Sequence, residues 1–231
     1  MAVKKIWLSF LAILLSFLVC FIFINTATIY NAASVLTTEK KKIIIDAGHG
    51  GFDGGASNGN ILEKDINLII AKDLKYLISM FGYDIIMTRE TDCAINTEGD
   101  SIRTKKISDM KNRLKLMKNY PEAEFVSIHL NKYSTSEPKG LQVFYSPNDE
   151  NSFKLAQNIQ ESVKNILQKE NHRKVKKATS DAYLLDNAPI PAVIIECGFL
   201  SNANDLENLT NTEYQQKLAF ACFCGIISNN N

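Results

Sequence analysis

The chain has 231 residues, of which 45% are hydrophobic and 22% charged, with a formal net charge of +1. That length suits one domain with a full-sized core plus a short extra segment, and the composition is that of a globular protein. A near-neutral balance with no basic stripe excludes a nucleic-acid binder, whose phosphate contacts need clustered cations.

Lys4 and Lys5 precede an uncharged, almost wholly apolar run from Ile6 to Ile24 that contains no Pro or Gly. At about 1.5 Å per residue such a helix nearly crosses a hydrocarbon core of about 30 Å. The uncharged flank from Asn25 to Thr38 leaves the two lysines on the cytoplasmic side, so everything after the run is expected to be exported. Run length favours an uncleaved membrane anchor over residues 1–24. The small residues Ala32, Ala33 and Ser34 keep a cleaved signal peptide, and a secreted product, open. A lipoprotein signal at Cys20 is disfavoured by the bulk of Val19. Residues 25–41 read as a linker. Setting aside Lys4 and Lys5 leaves 24 of the 26 cations against 25 anions, a balance suited to moving through a polyanionic matrix. Cys93, Cys197, Cys222 and Cys224 show neither a disulfide framework nor a C-x-x-C pair, and read as small core or surface residues.

From Lys42 onward strands and helices alternate. Ile43 to Ile45 is a strand buried on both faces. Gly48, Gly50, Gly51, Gly54, Gly55 and Gly59 mark a long loop. Ile66, Ile69, Ile70, Leu74, Leu77, Ile78 and Phe81 recur at helical spacing, and Gly82 closes that helix. Tyr83 to Thr88 is a second strand, and residues 89–103 are a polar loop. A helix then runs to Asn119 and stops before Pro121. Phe125 to His129 and Leu141 to Tyr145 are strands, separated by a turn at Pro138 to Gly140. Phe153, Ala156, Ile159, Val163, Ile166 and Leu167 form an amphipathic helix. Residues 170–177 read as a basic loop and Tyr183 to Leu185 as a short strand. Ala192 to Glu196 is a buried strand, and Thr212 with Gln215 gives a capping-box pattern opening a last helix to about Ile227. The alternation predicts one α/β domain over 42–228, a three-layer sandwich with a mainly parallel sheet flanked by helices.

His49 follows the first strand, His129 ends the third and Glu196 ends a later one. Parallel strands would bring all three to the carboxyl edge of the sheet, where open α/β folds place their sites. Glu63, at the start of the helix leaving the glycine-rich loop, can fold back to the same edge. Two imidazoles and a carboxylate are the donor set of a catalytic zinc with an open position for water. Glu196 is then a spare carboxylate placed to act as general base. The glycine-rich loop lacks the G-x-x-x-x-G-K order of a phosphate cradle. His172, beside Arg173 and Lys174, reads as a solvated surface residue.

The segments Ile45-Asp46-Ala47-Gly48-His49-Gly50-Gly51, Glu63-Lys64-Asp65-Ile66-Asn67-Leu68 and Thr88-Arg89 resemble the zinc-dependent N-acetylmuramoyl-L-alanine amidases. So do Ser127-Ile128-His129-Leu130-Asn131, the strand after Gly140, and the run from Pro191 to Asn202. They occur in family order and span about residues 42–228. The resemblance implies one Zn²⁺ per chain on His49, Glu63 and His129, with Glu196 as the catalytic carboxylate. It implies hydrolysis of the amide between N-acetylmuramic acid and L-alanine in peptidoglycan, Glu196 taking a proton from water and returning it to the departing nitrogen. Family members often carry Pro at the position of Ala47 and an aliphatic residue at that of Cys197; neither change touches a ligand. Cys197 should point away from Glu196, into the other face of the sheet. The compact form resembles the subgroup that trims spore cortex during sporulation and germination. A zinc peptidase of the stem peptide and a non-catalytic wall-binding scaffold are the competing functions, and an activating protein partner stays open beside them.

Overall fold

Ile43, Ile44 and Ile45 are each fully buried, and this β-branched run forms a strand with a helical layer on both sides. The computed structural model describes residues 41–228 together with Leu15, Ser16 and Val19. In that part β1 spans Lys42–Ala47, β2 Ser57–Asn58, β3 Ile61–Leu62, β4 Asp84–Met87, β5 Glu124–Asn131, β6 Gln142–Tyr145, β7 Lys176–Lys177 and β8 Ala192–Phe199. Six of them make one sheet in the order β4-β1-β5-β8-β6-β7, while β2 and β3 pair as a separate two-stranded ribbon. Strands β4, β1, β5 and β8 run parallel, and β6 lies antiparallel to β8. The mainly parallel sheet expected from the alternation is present.

The helices are α1 (Glu63–Met80), α2 (Ile102–Asn119), α3 (Glu150–Ile166), α4 (Tyr183–Asp186), α5 (Ala203–Leu209) and α6 (Thr212–Ser228). Odd and even residues of each central strand go to opposite faces. Ile43, Ile45, Val126, Ile128, Val193 and Ile195 pack with α1, α3 and α6. Ile44, Phe125 and Ala192 pack with α2 and α4. Helices α3 and α6 meet closely at Gly225, where a Cβ would lie 2.5 Å from the Ile159 Cα. Cys197 (1% exposed) and Cys222 (0%) sit together in the first of these cores, so Cys197 does point away from the face that carries Glu196. Burial pushes both thiols up, Cys222 to about 12. All four described cysteines are unpaired.

Three local expectations are corrected. Tyr183 to Leu185 is the first part of the short helix α4, not a strand; a three-residue apolar run carries no period that separates the two. Within the basic stretch 170–177, Lys176–Lys177 pairs with β6 as a two-residue edge strand. The cap of α6 is Asn211, whose Oδ1 accepts from the Tyr214 N–H at 3.0 Å, while the Gln215 amide donates to Leu209 O at 2.6 Å. Asn is the stronger cap, so the helix starts one residue before the Thr-based pattern.

Residues 1–40 and 41–231 are separate units. The apolar run, the linker and the choice between anchor and cleaved signal lie outside the described residues, apart from three isolated positions. Among the described residues no helix is long and apolar enough to cross a membrane.

Candidate active site

At the carboxyl end of β1 the chain turns through Gly48 and His49. His49 has φ +62°, and no other non-glycine among the described residues has a positive φ. A left-handed backbone costs about 1–2 kcal/mol for such a residue, so something must hold it. Two buried arginines do. Arg113, from α2, donates through Nη2 to His49 O at 2.9 Å and through Nη1 to Ala47 O at 3.2 Å. Arg89 donates through Nη2 to Gly48 O at 3.0 Å and through Nε to Ala47 O at 2.9 Å. Its bond to Lys64 O at 2.7 Å ties the same turn to the start of α1.

Arg113 is itself fixed by two acids, pairing with Asp46 through Nη1 and with Asp109 through Nε at 2.6 Å. Asp46 is fully buried. It accepts from Ser127 Oγ at 2.5 Å and Thr88 Oγ1 at 2.7 Å, which joins β1 to β5 and to the end of β4. Burial opposes the charge on Asp46, but Arg113 and the hydroxyl of Ser127 outweigh it and hold the carboxyl below its ordinary range.

Glu63 opens α1 and is 2% exposed. Its Oε1 lies 3.2 Å from His49 Nε2 and 3.0 Å from His129 Nδ1, and accepts the Leu130 N–H at 3.0 Å. Its Oε2 accepts the Ala56 N–H at 2.7 Å. His49 Nδ1 lies 2.9 Å from Asp53 Oδ2, so a second carboxylate orients that ring from behind. Burial works against an imidazolium at His49, yet the bonds to Asp53 and Glu63 overcome it and raise the group to about 9. Glu63 is held far below an ordinary carboxylate against its burial, chiefly by the two imidazoles. The place where these side chains meet favours positive charge.

The donors fit one metal ion. Those of His49, Glu63 and His129 all lie within 4.8 Å of one another, a spacing that side-chain shifts of a few tenths of an ångström bring to one ion at about 2.0–2.2 Å from each. Nitrogen and oxygen donors in that number suit zinc. The glycines keep the space small. A Cβ on Gly48 would stand 2.3 Å from His129 Nε2, and one on Gly55 would stand 2.6 Å from Glu63 Oε2.

Glu196 stands in register with His129 on the adjacent parallel strand, so both side chains leave the same face. Its Oε2 is buried with no hydrogen-bond partner. Burial raises the Glu196 carboxyl, His129 and His49 oppose the rise, and Glu63 adds to it. A carboxyl raised in this way and aimed beside two imidazoles is poised to take and return a proton. On its other side, Gln142 of β6 is in register with Glu196. A small cleft lined by His49, Phe52, Asp53, Lys106, Met110, His129 and Leu184 opens beside the donors. A larger cavity between Thr97 and Asn112 contains none of these groups, so size does not mark the site.

Residues 43–228 match a family model described as N-acetylmuramoyl-L-alanine amidase. The chain belongs to that family. It is 38% identical to the germination-specific N-acetylmuramoyl-L-alanine amidase of Bacillus subtilis (strain 168), over 97% of this chain and 94% of that one. Among solved structures it resembles the CwlD amidase from Clostridioides difficile in complex with the GerS lipoprotein. That match has a TM-score of 0.79 and 42% identity, and covers 83% of this chain and 98% of the other. An N-acetylmuramoyl-L-alanine amidase from Clostridium difficile 630 superposes with a TM-score of 0.71 at 28% identity, over 83% of this chain and 97% of that one. The protein is thus an amidase of peptidoglycan, and the family decides for the muramoyl–alanine bond over bonds inside the stem peptide.

The structure brings His49, Glu63, His129 and Glu196 of this amidase to one edge, and leaves His172 exposed. Sequence reasoning passed over Asp53 and Arg113, and it took Arg89 only as part of a matching segment without giving it a role. Asp53, four residues past His49 in the glycine-rich loop, had a weak signal as an acid beside a candidate ligand. Arg113 had none, because it lies in a helix crowded with lysines that reads as a solvated face.

Proposed function

We propose that the amidase binds one zinc ion through His49, Glu63 and His129, and that Glu196 is its catalytic general base and acid. The observation that carries this reading is the convergence of both imidazoles on Glu63 Oε1, at 3.0 and 3.2 Å, with Glu196 in register beside His129. Zinc, when bound there, supplies Lewis acidity toward the substrate carbonyl and toward water. Asp53 keeps the His49 ring oriented, and the Arg89–Arg113 grip keeps its backbone in place. The unpartnered Oε2 of Glu196 accepts the proton of the attacking water and hands it to the alanine nitrogen as the amide breaks. The competing scaffold reading has no use for that carboxylate. Treatment with a chelator should abolish hydrolysis and added zinc should restore it at one ion per chain, with free L-alanine N-termini among the products by mass spectrometry. Undiminished hydrolysis by protein shown to be metal-free would defeat the assignment.

The substrate is read as spore cortex, on the likeness to a germination-specific relative that extends over nearly the whole chain. Purified cortex and vegetative wall digested side by side give the comparison. The CwlD amidase from Clostridioides difficile was solved in complex with the GerS lipoprotein, and that pairing supports an activating lipoprotein partner for this chain too. Residues 1–24 are read as an anchor that holds domain 42–228 outside the membrane through linker 25–41. Full-length protein should therefore fractionate with membranes and need detergent for release. Mature protein beginning near Ser34 in a soluble extracellular fraction would replace the anchor with a cleaved signal.

A further inference from the structure

Helix α1 runs from one end of the domain to the other. Glu63 opens it beside the two imidazoles, and Met80 closes it after 18 residues, about 26 Å away. At that far end Tyr76, Met80 and Phe81 are 66%, 65% and 61% exposed, and Phe220 of α6 is 47% exposed. The Phe81 ring packs on Phe223 with centroids 4.7 Å apart, and Phe220 lies 6.2 Å from that same ring. These contacts join the two helices into one exposed apolar patch.

No charge interrupts the segments that build it. Tyr76 to Tyr83 contains no carboxylate and no cation, and Leu218 to Ile227 is wholly apolar. A helix apolar on every side is normally covered on every side, yet α6 turns Phe220 outward. Two lysines that flank the patch are matched by acids, Lys75 by Glu90 at 2.7 Å and Lys217 by Glu213 at 2.6 Å. What this surface offers is therefore aromatic and thioether area with little net field, the mark of an interaction site.

The position of the patch selects what covers it. Phe81 ends α1 at the amino edge of the sheet, where β1 and β4 begin in register at Lys42 and Asp84. Lys41 O accepts from the Asp84 N–H at 3.2 Å, so the chain arriving from residues 1–40 enters the domain beside the patch. Linker 25–41 extends at most about 3.3–3.6 Å per residue, so an anchor in 1–24 keeps that entry point within about 60 Å of the bilayer. On such a tether a weak apolar contact forms readily, because docking is intramolecular. Uncharged aromatic side chains suit the headgroup region of a bilayer. We propose that the patch of Tyr76, Met80, Phe81 and Phe220 rests in the bilayer that carries the anchor, and so turns the edge with His49, Glu63 and His129 outward to the wall. The proposal rests on the anchor reading given above.

The test uses the full chain in lipid vesicles. Trp7 is the one tryptophan of the sequence, so Trp7→Phe gives a dark background for a single reporter. Phe81→Trp reports from the patch, and Tyr133→Trp from an exposed position just past β5 on the opposite edge. In vesicles with brominated acyl chains the Phe81→Trp reporter should be quenched and its emission shifted to the blue, while the Tyr133→Trp reporter should not change. Adding Tyr76→Asp and Phe220→Asp should abolish the quenching and leave zinc content and hydrolysis of a soluble muramoyl peptide as they were. Neutral phosphatidylcholine and mixtures with phosphatidylglycerol should quench alike, because the contact is apolar. Protein that floats with the vesicles but leaves the Phe81→Trp reporter unquenched would overturn the docking; shielding of that reporter from aqueous iodide would then name a protein, a second copy included, as the occupant. Equal quenching of both reporters would overturn the fixed orientation. A full chain that fails to float with vesicles would instead remove the anchor reading, and the docking with it.

Discussion

Glu196→Gln is expected to keep its zinc and its melting temperature while turnover falls by about 10²–10⁴-fold, the usual worth of a positioned general base. The amide is nearly isosteric with the carboxylate and cannot take a proton from water. The fold should not suffer, because Glu196 Oε2 has no hydrogen-bond partner to lose. A buried carboxylate left unpaired is a liability to stability, so the variant should melt no lower than the wild type. Steady-state kinetics beside metal analysis and thermal unfolding check all three outcomes. Near-normal turnover with zinc bound would remove Glu196 from the mechanism.

Arg113→Ala should produce the largest loss of stability of any single change near the site, about 3–5 kcal/mol. It leaves Asp46 buried and charged without its partner. Metal affinity should fall with it, because His49 loses the donor that holds its carbonyl at 2.9 Å. The two effects can be separated. Replacing both Arg113 and Asp46 with apolar residues of similar size should recover much of the stability, since a buried pair is often no more stabilising than a packed apolar one. It should not recover zinc affinity, because His49 O still lacks its donor. Denaturant unfolding and competitive zinc titration on the single and paired variants give the comparison. Zinc affinity returning in step with stability would reduce Arg113 to a structural role.

These two residues also show where the sequence could be read and where it could not. Glu196 announces itself: a carboxylate at the end of the apolar run Ala192 to Ile195 has to be explained by function or by a partner. The same logic of strand ends located His49 past β1, and it found His129 and Glu196 although their strands run on to Asn131 and Phe199 rather than ending at them; the apolar runs that mark β1, β5 and β8 gave the sheet its core. Arg113 follows Lys105, Lys106 and Lys111 in one helix, and its burial depends on Asp46, 67 positions earlier. Only the folded sheet brings the two together. The short ribbon β2–β3 was hidden inside the glycine-rich loop for a related reason, since two-residue strands carry no alternation. The helix–strand confusion at Tyr183 to Leu185 and the cap at Asn211 rather than Thr212 are local contests between similar signals, settled by packing.

The two thiols of Cys197 and Cys222 bear on how long the protein survives where it works. Only the thiolate is readily oxidised or alkylated, and burial pushes the ionisation of both thiols far above neutral pH, so they stay protonated. Outside the cytoplasm, unpaired cysteines are prone to sulfenic acid formation and to scrambling with foreign thiols. This domain carries two of its cysteines into that setting shielded by the helices packed on one side of the sheet. Its redox durability is therefore coupled to its folding stability, and any lesion that opens the layer of α1, α3 and α6 exposes sulfur to oxidation and exchange before the chain can close again.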